Sequence, residues 1–560
     1  MRIVIDMQST QTESRFRGIG RYTLSFAQAI VRNRGEHEVF LALSGLFPDT
    51  IEPVRAAFDN LLPQEDMRVW QAPGPVEEKN PMNDARREVA ELMREEFLAS
   101  LAPDVIHIGS LFEGYADNAV TSIGRFDRAT PVSVSFYDLI PLLNPEHYLE
   151  PNPRYARYYQ RKIEHLKKAA TLLSISEFTR QEGMAHLCTP ANRIVNVATA
   201  IEACFCPRQI DDTTAVQLRK KFRLNRPFIL YTGGADERKN LPRLIHAYAA
   251  LPAPLRADHQ LLLAGKMTES KTDELKYVAK SAGLRPDALC FTGYVTDEEL
   301  IQLYNLCKLF VFPSWHEGFG LPALEAMACG APVIGANSSS LPEVVGLEVA
   351  LFDPLDVKAI AAKMKQALED QSFRATLRNH GLQQAQRFSW DDSAKRAIAA
   401  WESQHSHSDS RNNYSARSLR GARLIQEVTQ YHHDARSAEL LTLAACLAQN
   451  QSAGIERQLL LDISELCQHD AATGVQRVVR SYLKWLLQSP PVGFRIEPVY
   501  ATQHQGYRYA RCFTQRFLGQ EGAHFTDDPL RWQRGDIFFG LDMQRIKQRH
   551  LQANHFWQAR

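Results

Sequence analysis

His316-Glu317-Gly318-Phe319-Gly320-Leu321-Pro322-Ala323-Leu324-Glu325 is the stretch on which the fold turns. Two carboxylates stand eight positions apart in it, on either side of a glycine-rich loop. The run before it, Leu309-Phe310-Val311-Phe312-Pro313, is apolar and closed by proline, as buried strands are. After it, Pro322 suits the first turn of a helix and Gly330 suits its end. Strand, loop and helix therefore meet at a corner, with the free amides of the helix start between the carboxylates. A helix start favours phosphate, and Glu317 and Glu325 can accept hydrogen bonds from hydroxyls. Donors for phosphate beside acceptors for hydroxyls suit a nucleotide sugar.

Outward from this corner the chain keeps one rhythm. Phe228–Tyr231, Leu261–Leu263, Leu289–Phe291, Leu309–Phe312, Val333-Ile334 and Leu351-Phe352 read as strands of one series. An earlier series comprises Ile3–Ile5, Val39–Leu43, Val105–Ile108, Val132–Val134 and Leu172–Ile175, with helical stretches near 21–32, 84–101 and 154–170. Alternation of this kind predicts parallel sheets in doubly wound domains, with ligands at the carboxyl ends of the strands. Further helices are expected over 373–387 and 391–404.

A chain of 560 residues exceeds what one core supports, so two or more domains are expected. The formal net charge of +1 gives no general pull toward nucleic acid or anionic membranes. No apolar run approaches the roughly 18 residues that span a bilayer. The first residues, Met1 to Asp6, read as a strand and not a signal peptide. Nine cysteines lie scattered without metal-ligand spacing, which predicts reduced thiols in a cytoplasm and no metal site.

Residues 403–416 form a polar, serine-rich linker, and a helical region of about 417–450 follows, with Leu440, Leu441, Leu443, Ala444 and Leu447 as its apolar face. The end of the chain then repeats its beginning. Ile3-Val4-Ile5-Asp6 leads to Gly18-Ile19-Gly20-Arg21, and Leu459-Leu460-Leu461-Asp462 leads to Gly474-Val475-Gln476-Arg477. Asp-to-Gly is twelve residues and Asp-to-Arg fifteen in both, at an offset of 456.

Several other residues could carry chemistry. Gly18 and Gly20 open a helix, where glycines admit a ligand to the backbone or simply make a tight turn; Thr23 breaks any dinucleotide fingerprint. Arg238 and Lys239 sit where a helix is expected to begin, an arrangement that calls for an anion. Asp138 follows a buried strand and either orients a sugar or caps the next turn. Ser176 is an expected helix cap, and His107 reads as a structural hydrogen-bonding group. Arg154, Arg157, Arg161, Lys162, Lys167 and Lys168 make one helix basic, either as a solvated face or against an anionic membrane or glycolipid.

The Pro313-Ser314 and Glu317–Glu325 pattern resembles the E-x7-E signature of the family 4 retaining glycosyltransferases, which have the GT-B fold. The resemblance implies an α/β chain: two Rossmann-like doubly wound domains facing a cleft, then a partial second glycosyltransferase N-terminal domain. Its boundaries would be 1–205 for the acceptor-side domain, 206–385 for the nucleotide-sugar domain, 386–404 for a crossover helix region, 405–455 for the linker and spacer, and 456–560 for the partial copy. By resemblance Glu317, Asp138 and Lys239 would be catalytic. Gly18, Gly20, Arg238, Lys239, Gly318, Phe319, Gly320, Leu321 and Glu325 would bind the donor. The family's usual arginine, five positions before Lys239, is Gly234 here, and the histidine many relatives carry before Asp138 is Tyr137. The tandem arrangement is similar to bacterial O-antigen mannosyltransferases. It implies transfer of mannose from GDP-mannose to an oligosaccharide or glycolipid acceptor, with no cofactor, no metal and no nucleic acid. The place implied is the cytoplasm, with association at the inner face of the membrane or in an assembly complex. A nucleotide-sugar epimerase of the same fold and a silent glycan-binding scaffold remain the rival readings.

Overall fold

The computed structural model describes residues 1–405, 417–430, 437–451, 457–469, 473–502, 506–519, 527–530 and 536–541. It divides into two compact units. Met1–Leu24, Arg34–Val132 and Asp409–Arg560 make the first; Ser25–Asn33 and Ser133–Ser408 make the second.

The first unit begins with β1 (Arg2–Asp6), β2 (Glu38–Ser44), β3 (Met67–Trp70) and β4 (Val105–Ile108), parallel in the order β3-β2-β1-β4. Ile3, Val4 and Ile5 are fully buried, as a central strand covered on both faces requires. Helix α1 runs Gly18–Arg32 and α2 runs Asp84–Ser100. From α2, Arg94 reaches back to the end of β1 and pairs with Asp6 at 2.5 Å, both side chains 1% exposed. His107 in β4 is buried, and burial pulls its imidazole down to about 3, so it stays neutral.

In the second unit β5 (Val132–Phe136), β6 (Thr171–Ser174) and β7 (Ile194–Asn196) are parallel in that order. Helix α3 (Pro153–Lys168) is the basic one, but Lys162 is buried over the Tyr158 ring, so the charges do not form one solvated face. Helix α4 (Glu177–Leu187) starts at Ser176, whose hydroxyl accepts the Thr179 N–H at 2.9 Å. A six-stranded parallel sheet follows: β8 (Phe228–Thr232), β9 (Gln260–Ala264), β10 (Leu289–Phe291), β11 (Leu309–Phe312), β12 (Val333–Ala336) and β13 (Leu351–Phe352), ordered β10-β9-β8-β11-β12-β13. The order reverses direction between β8 and β11, which is where a doubly wound sheet takes its ligand. Helix α5 (Leu321–Ala328) leaves the end of β11. Helix α6 (Trp390–His405) packs on β6 and β7, its Asp391 accepting from Asn33 and its Gln404 donating to the Ala170 carbonyl.

The remainder of the first unit holds α7 (Arg417–Thr429), α8 (Ser437–Gln451) and α9 (Gly474–Gln488). Helix α7 lies on α2, with the Arg423 guanidinium 4.6 Å from the Phe126 ring and bonded to the Phe126 carbonyl. In α8 the expected apolar face is only partly used: Leu443 is buried, whereas Leu440 and Leu441 are exposed. Asn450 explains the docking instead, trading hydrogen bonds in both directions with the Gln71 backbone. The linker 406–416 lies outside the described residues.

Strands β14 (Arg457–Asp462), β15 (Phe494–Tyr500), β16 (Arg508–Tyr509) and β17 (Ile537–Gly540) form a separate sheet, ordered β16-β15-β14-β17. Like β1, β14 is parallel to both its neighbours; only β16 runs antiparallel. The end of the repeat, 542–560, also lies outside the described residues.

Candidate active site

The loop after β11 brings the predicted residues of the second unit together. Glu317 is buried and gripped on both oxygens. Lys239 Nζ stands 2.5 Å from Oε1, the Ser314 hydroxyl donates to the same oxygen at 2.5 Å, and Arg238 Nη1 lies 2.7 Å from Oε2. Burial alone would raise the Glu317 carboxyl. The charges of Lys239 and Arg238, with hydrogen bonds from Lys239 and Ser314, overcome it and hold the group at about 2. Glu317 is therefore a carboxylate at any physiological pH. It can accept hydrogen bonds from hydroxyls and face positive charge, but it has no proton to give.

The two cations do not sit on a helix start, contrary to the expectation. They occupy a 3-10 turn, Glu237–Lys239, whose cap Asp236 accepts the Arg238 N–H; Asn240 then takes a left-handed conformation, φ 60°, before the next helix. Such a turn aims both cations back toward the end of β11, which a regular first helical turn would not do. Burial works against both charges. It leaves Lys239 below its ordinary value, while Glu317, Asp138 and Asp236 lift Arg238 above its own.

Asp138 follows β5 and is partly buried. Its Oδ1 accepts the Ile140 N–H at 3.1 Å, so it does cap the turn. It also lies in the field of Arg238 and His316, which draw its carboxyl down, and of Glu182, which pushes it up; burial dominates and raises it. Capping and a place in the cluster are thus compatible.

Gly318 has no room for a side chain: a Cβ there would lie 2.2 Å from the Tyr137 carbonyl oxygen. Its own carbonyl accepts the Thr179 hydroxyl at 3.0 Å. Gly320 caps α5 at φ 104°, a left-handed conformation that favours glycine. Phe319 is buried, Leu321 opens the helix, and Glu325 falls in its second turn. Glu325 accepts the Tyr304 hydroxyl at 2.8 Å, and that oxygen also lies 2.8 Å from Thr232 Oγ1. Burial and Glu325 both keep Tyr304 protonated.

Gly18 and Gly20 belong to the first unit. A Cβ on Gly20 would meet the Arg15 and Ser14 backbone at 2.4 Å, so close packing against the preceding turn already requires glycine. Sequence reasoning quoted Ser314 and His316 within its motif without giving them a role, and missed Tyr304, Tyr148 and Glu182. Tyr148 donates to Asp236 at 2.5 Å, which steadies the turn that carries the cations. A cavity of about 610 Å³ bearing Arg208, Lys308, Arg374 and Arg378 lies at the opposite, amino-terminal ends of β11 and β12 and has no part in this cluster.

Residues 215–384, which hold this corner, match the family model described as glycosyl transferases group 1. Over 280 residues the chain is 36% identical to the O-antigen chain mannosyltransferase B of Escherichia coli, covering 50% of this chain and 71% of that one. The chain belongs to the group 1 glycosyltransferases. The chain is also 38% identical over 545 residues to the E. coli serotype-specific mannosyltransferase WbdA, an alignment that covers 97% of this chain but 64% of that relative's length. Solved structures share its fold at low identity. Sucrose-phosphate synthase from Thermosynechococcus elongatus has a TM-score of 0.52 at 19% identity, over 73% of this chain and all of that one. Anabaena HepE, solved with UDP and glucose, has a TM-score of 0.51 at 18% identity, over 72% of this chain and all of that one. The fold class is GT-B, as expected from the corner.

Proposed function

We propose that this group 1 glycosyltransferase moves mannose from GDP-mannose to a hydroxyl of a growing bacterial polysaccharide, with retention at the anomeric carbon. The observation that carries the reading is the permanently ionised Glu317 wedged among Lys239, Arg238 and Ser314 at the end of β11. Transfer requires the departing diphosphate to shed negative charge while the sugar turns oxocarbenium-like. Arg238, Lys239 and the α5 amides supply the first need, and Glu317 the second, as groups set in place before the reaction. Glu325, held by Tyr304, is suited to ribose hydroxyls. Asp138 is suited to a hydroxyl of the sugar or acceptor. The mannosyl donor and the O-antigen type of acceptor are supported by the relatives, two of which are a serotype-specific and an O-antigen chain mannosyltransferase. Residues 1–205 would take the acceptor and 206–385 the donor, with Gly18 and Gly20 at the diphosphate or acceptor, and the site at the cytoplasmic membrane face.

The test is a donor screen on the purified chain. Nucleoside diphosphate release is measured with GDP-mannose, GDP-glucose, UDP-glucose and UDP-galactose, with and without mannose oligosaccharides. Acceptor-dependent release from GDP-mannose is expected. Turnover without acceptor would point to the epimerase, and donor-independent glycan binding to the scaffold.

A further inference from the structure

Glu182 and His316 form a buried polar pair beside the donor corner that the transfer scheme does not yet use. Glu182 lies on α4, and His316 immediately precedes Glu317. Their side chains meet at 2.9 Å, Oε1 to Nε2, with 8% and 10% exposed. With Glu182 as the acceptor of this bond, Nε2 is the donor and Nδ1 is the ring's remaining polar atom. Phe178, also on α4, stands edge-on to the imidazole with centroids 5.9 Å apart. The charged groups around the ring are Asp138 from the β5 turn, Arg238 from the 3-10 turn, Glu182 from α4, and its neighbour Glu317.

Stability does not account for such a pair. Glu182 Oε2 has no protein partner, and a buried carboxylate left with an unsatisfied oxygen keeps a desolvation cost that a single hydrogen bond to an imidazole does not repay. What the pair does is hold a peptide. The His316 carbonyl accepts Arg238 Nη1 at 2.8 Å, while its ring is held by Glu182 from the other direction. The 316–317 peptide is thus fixed at both ends of one residue, and the Glu317 side chain leaves from it.

We infer that Glu182 is a positioning residue for the transfer: its bond to His316 sets the imidazole tautomer and the 316–317 peptide, and through them the aim of Glu317. This rests on the transferase reading above. Two variants of the full chain test it. Glu182→Leu should lower kcat roughly 10–100-fold, the range for loss of an orienting partner. KM for the nucleotide sugar should stay near the parent value, the split expected when only transition-state alignment is lost. Glu182→Gln should recover most of kcat, because its amide oxygen still accepts the Nε2 proton. In parallel, nitrogen chemical shifts of isotopically labelled histidine should show the Nε2–H form of His316 in the parent and in Glu182→Gln, and a tautomer mixture in Glu182→Leu. A Glu182→Leu variant with parental kcat, a change in KM alone, or a Glu182→Gln variant as poor as Glu182→Leu would overturn the inference. If the parent transfers no hexose from any donor, the transferase reading falls. The shifts then decide the Glu182–His316 link by themselves, and an unchanged tautomer in Glu182→Leu removes it.

Discussion

Residues 2–32 and the described residues of 457–488, which are 457–469 and 473–488, share an opening strand and a closing helix. Asp6 and Asp462 end their strands, and the Oδ1 of each accepts the backbone N–H two residues on, at 3.1 Å from Gln8 and 2.9 Å from Ser464. Met7 N–H then bonds the Ala42 carbonyl as Ile463 N–H bonds that of Val499, and Gly18 and Gly474 begin α1 and α9. The anchors differ. The second oxygen of Asp6 meets the Arg94 guanidinium, and that of Asp462 the Tyr507 hydroxyl at 2.8 Å. So does the covering: Tyr22, Phe26 and Ala29 are buried, whereas the matching Val478, Tyr482 and Trp485 are 55–60% exposed. Local backbone chemistry repeats because it depends on a few adjacent residues. Anchoring and covering depend on distant chain and do not repeat.

The sharpest way to break the comparison is through activity, which it assigns to the corner after β11 and not to the copy. Glu317→Ala should cut turnover roughly 10²–10³-fold, as loss of one preorganised electrostatic group does. Arg477→Ala, at the start of α9, should leave the parent rate. A large loss in Arg477→Ala would make the copy part of the active site. The pH dependence follows from the same cluster. Because the Glu317 carboxyl is lowered from 4.5 to about 2, its stabilisation is fully present above 4.5 and is lost only as pH falls through about 2. Product release measured across the neutral range should show no limb from this residue.

The anchors come next. Asp6→Ala leaves Arg94 buried without its counter-charge, at a cost of about 3–5 kcal/mol. Asp462→Ala loses hydrogen bonds to a carboxylate but strands no charge, at about 1–3 kcal/mol. Amide exchange in β1 and β14 would measure each locally. Equal losses would mean that the two carboxylates are anchored alike.

Much of this was legible before the structure. Equal Asp-to-Gly spacing does place both glycines at helix starts, and the apolar runs do form the parallel strands. Five strands were not legible: Met67–Trp70 is short and carries Arg68, Ile194–Asn196, Arg508–Tyr509 and Ile537–Gly540 are two to four residues long, and Phe494–Tyr500 is interrupted by Arg495, Glu497 and Pro498. In the site, the signature located Glu317 and Glu325, since their spacing follows from one loop. Their partners were hidden for the reason that hid Arg94 and Tyr507. Glu182 is 134 residues from His316, and Tyr304 is 21 from Glu325, on an element whose apolar pattern gives no hint of a hydroxyl turned to the site. The turn carrying Arg238 and Lys239 is not a helix start because Asn240, in a left-handed conformation, separates it from the helix that follows, and nothing in the sequence marks that break.

Covering gives a smaller contrast under identical substitution. Phe26→Leu should cost about 1–2 kcal/mol, because it opens space in a packed interior. Tyr482→Leu, on the exposed stripe of α9, should stay within about 0.5 kcal/mol. Thermal unfolding of the two variants checks this, and a comparable loss in Tyr482→Leu would show that the stripe is covered in solution.

The smallest effect concerns how α9 begins. Thr473 Oγ1 accepts the Gln476 N–H at 3.3 Å, and Gln476 Oε1 returns the bond to the Thr473 N–H, a reciprocal cap. Gln476 also donates to the His469 carbonyl at 2.6 Å, tying the helix start to the residues before the loop. In the first copy the same stretch is braced differently: Thr12 accepts the Ser14 N–H and donates to buried Glu113, and Gly20 packs on the Ser14–Arg15 backbone. A cap that stands alone should behave as isolated caps do. Thr473→Ala should therefore cost about 1 kcal/mol, and Thr473→Ser almost nothing. The loss should appear as roughly fivefold faster amide exchange confined to the first turn of α9, given that 1.4 kcal/mol is a factor of ten. Exchange accelerated along the whole of α9 would mean that this cap, and not the buried face of Val479, Leu483 and Leu486, sets the stability of the copy.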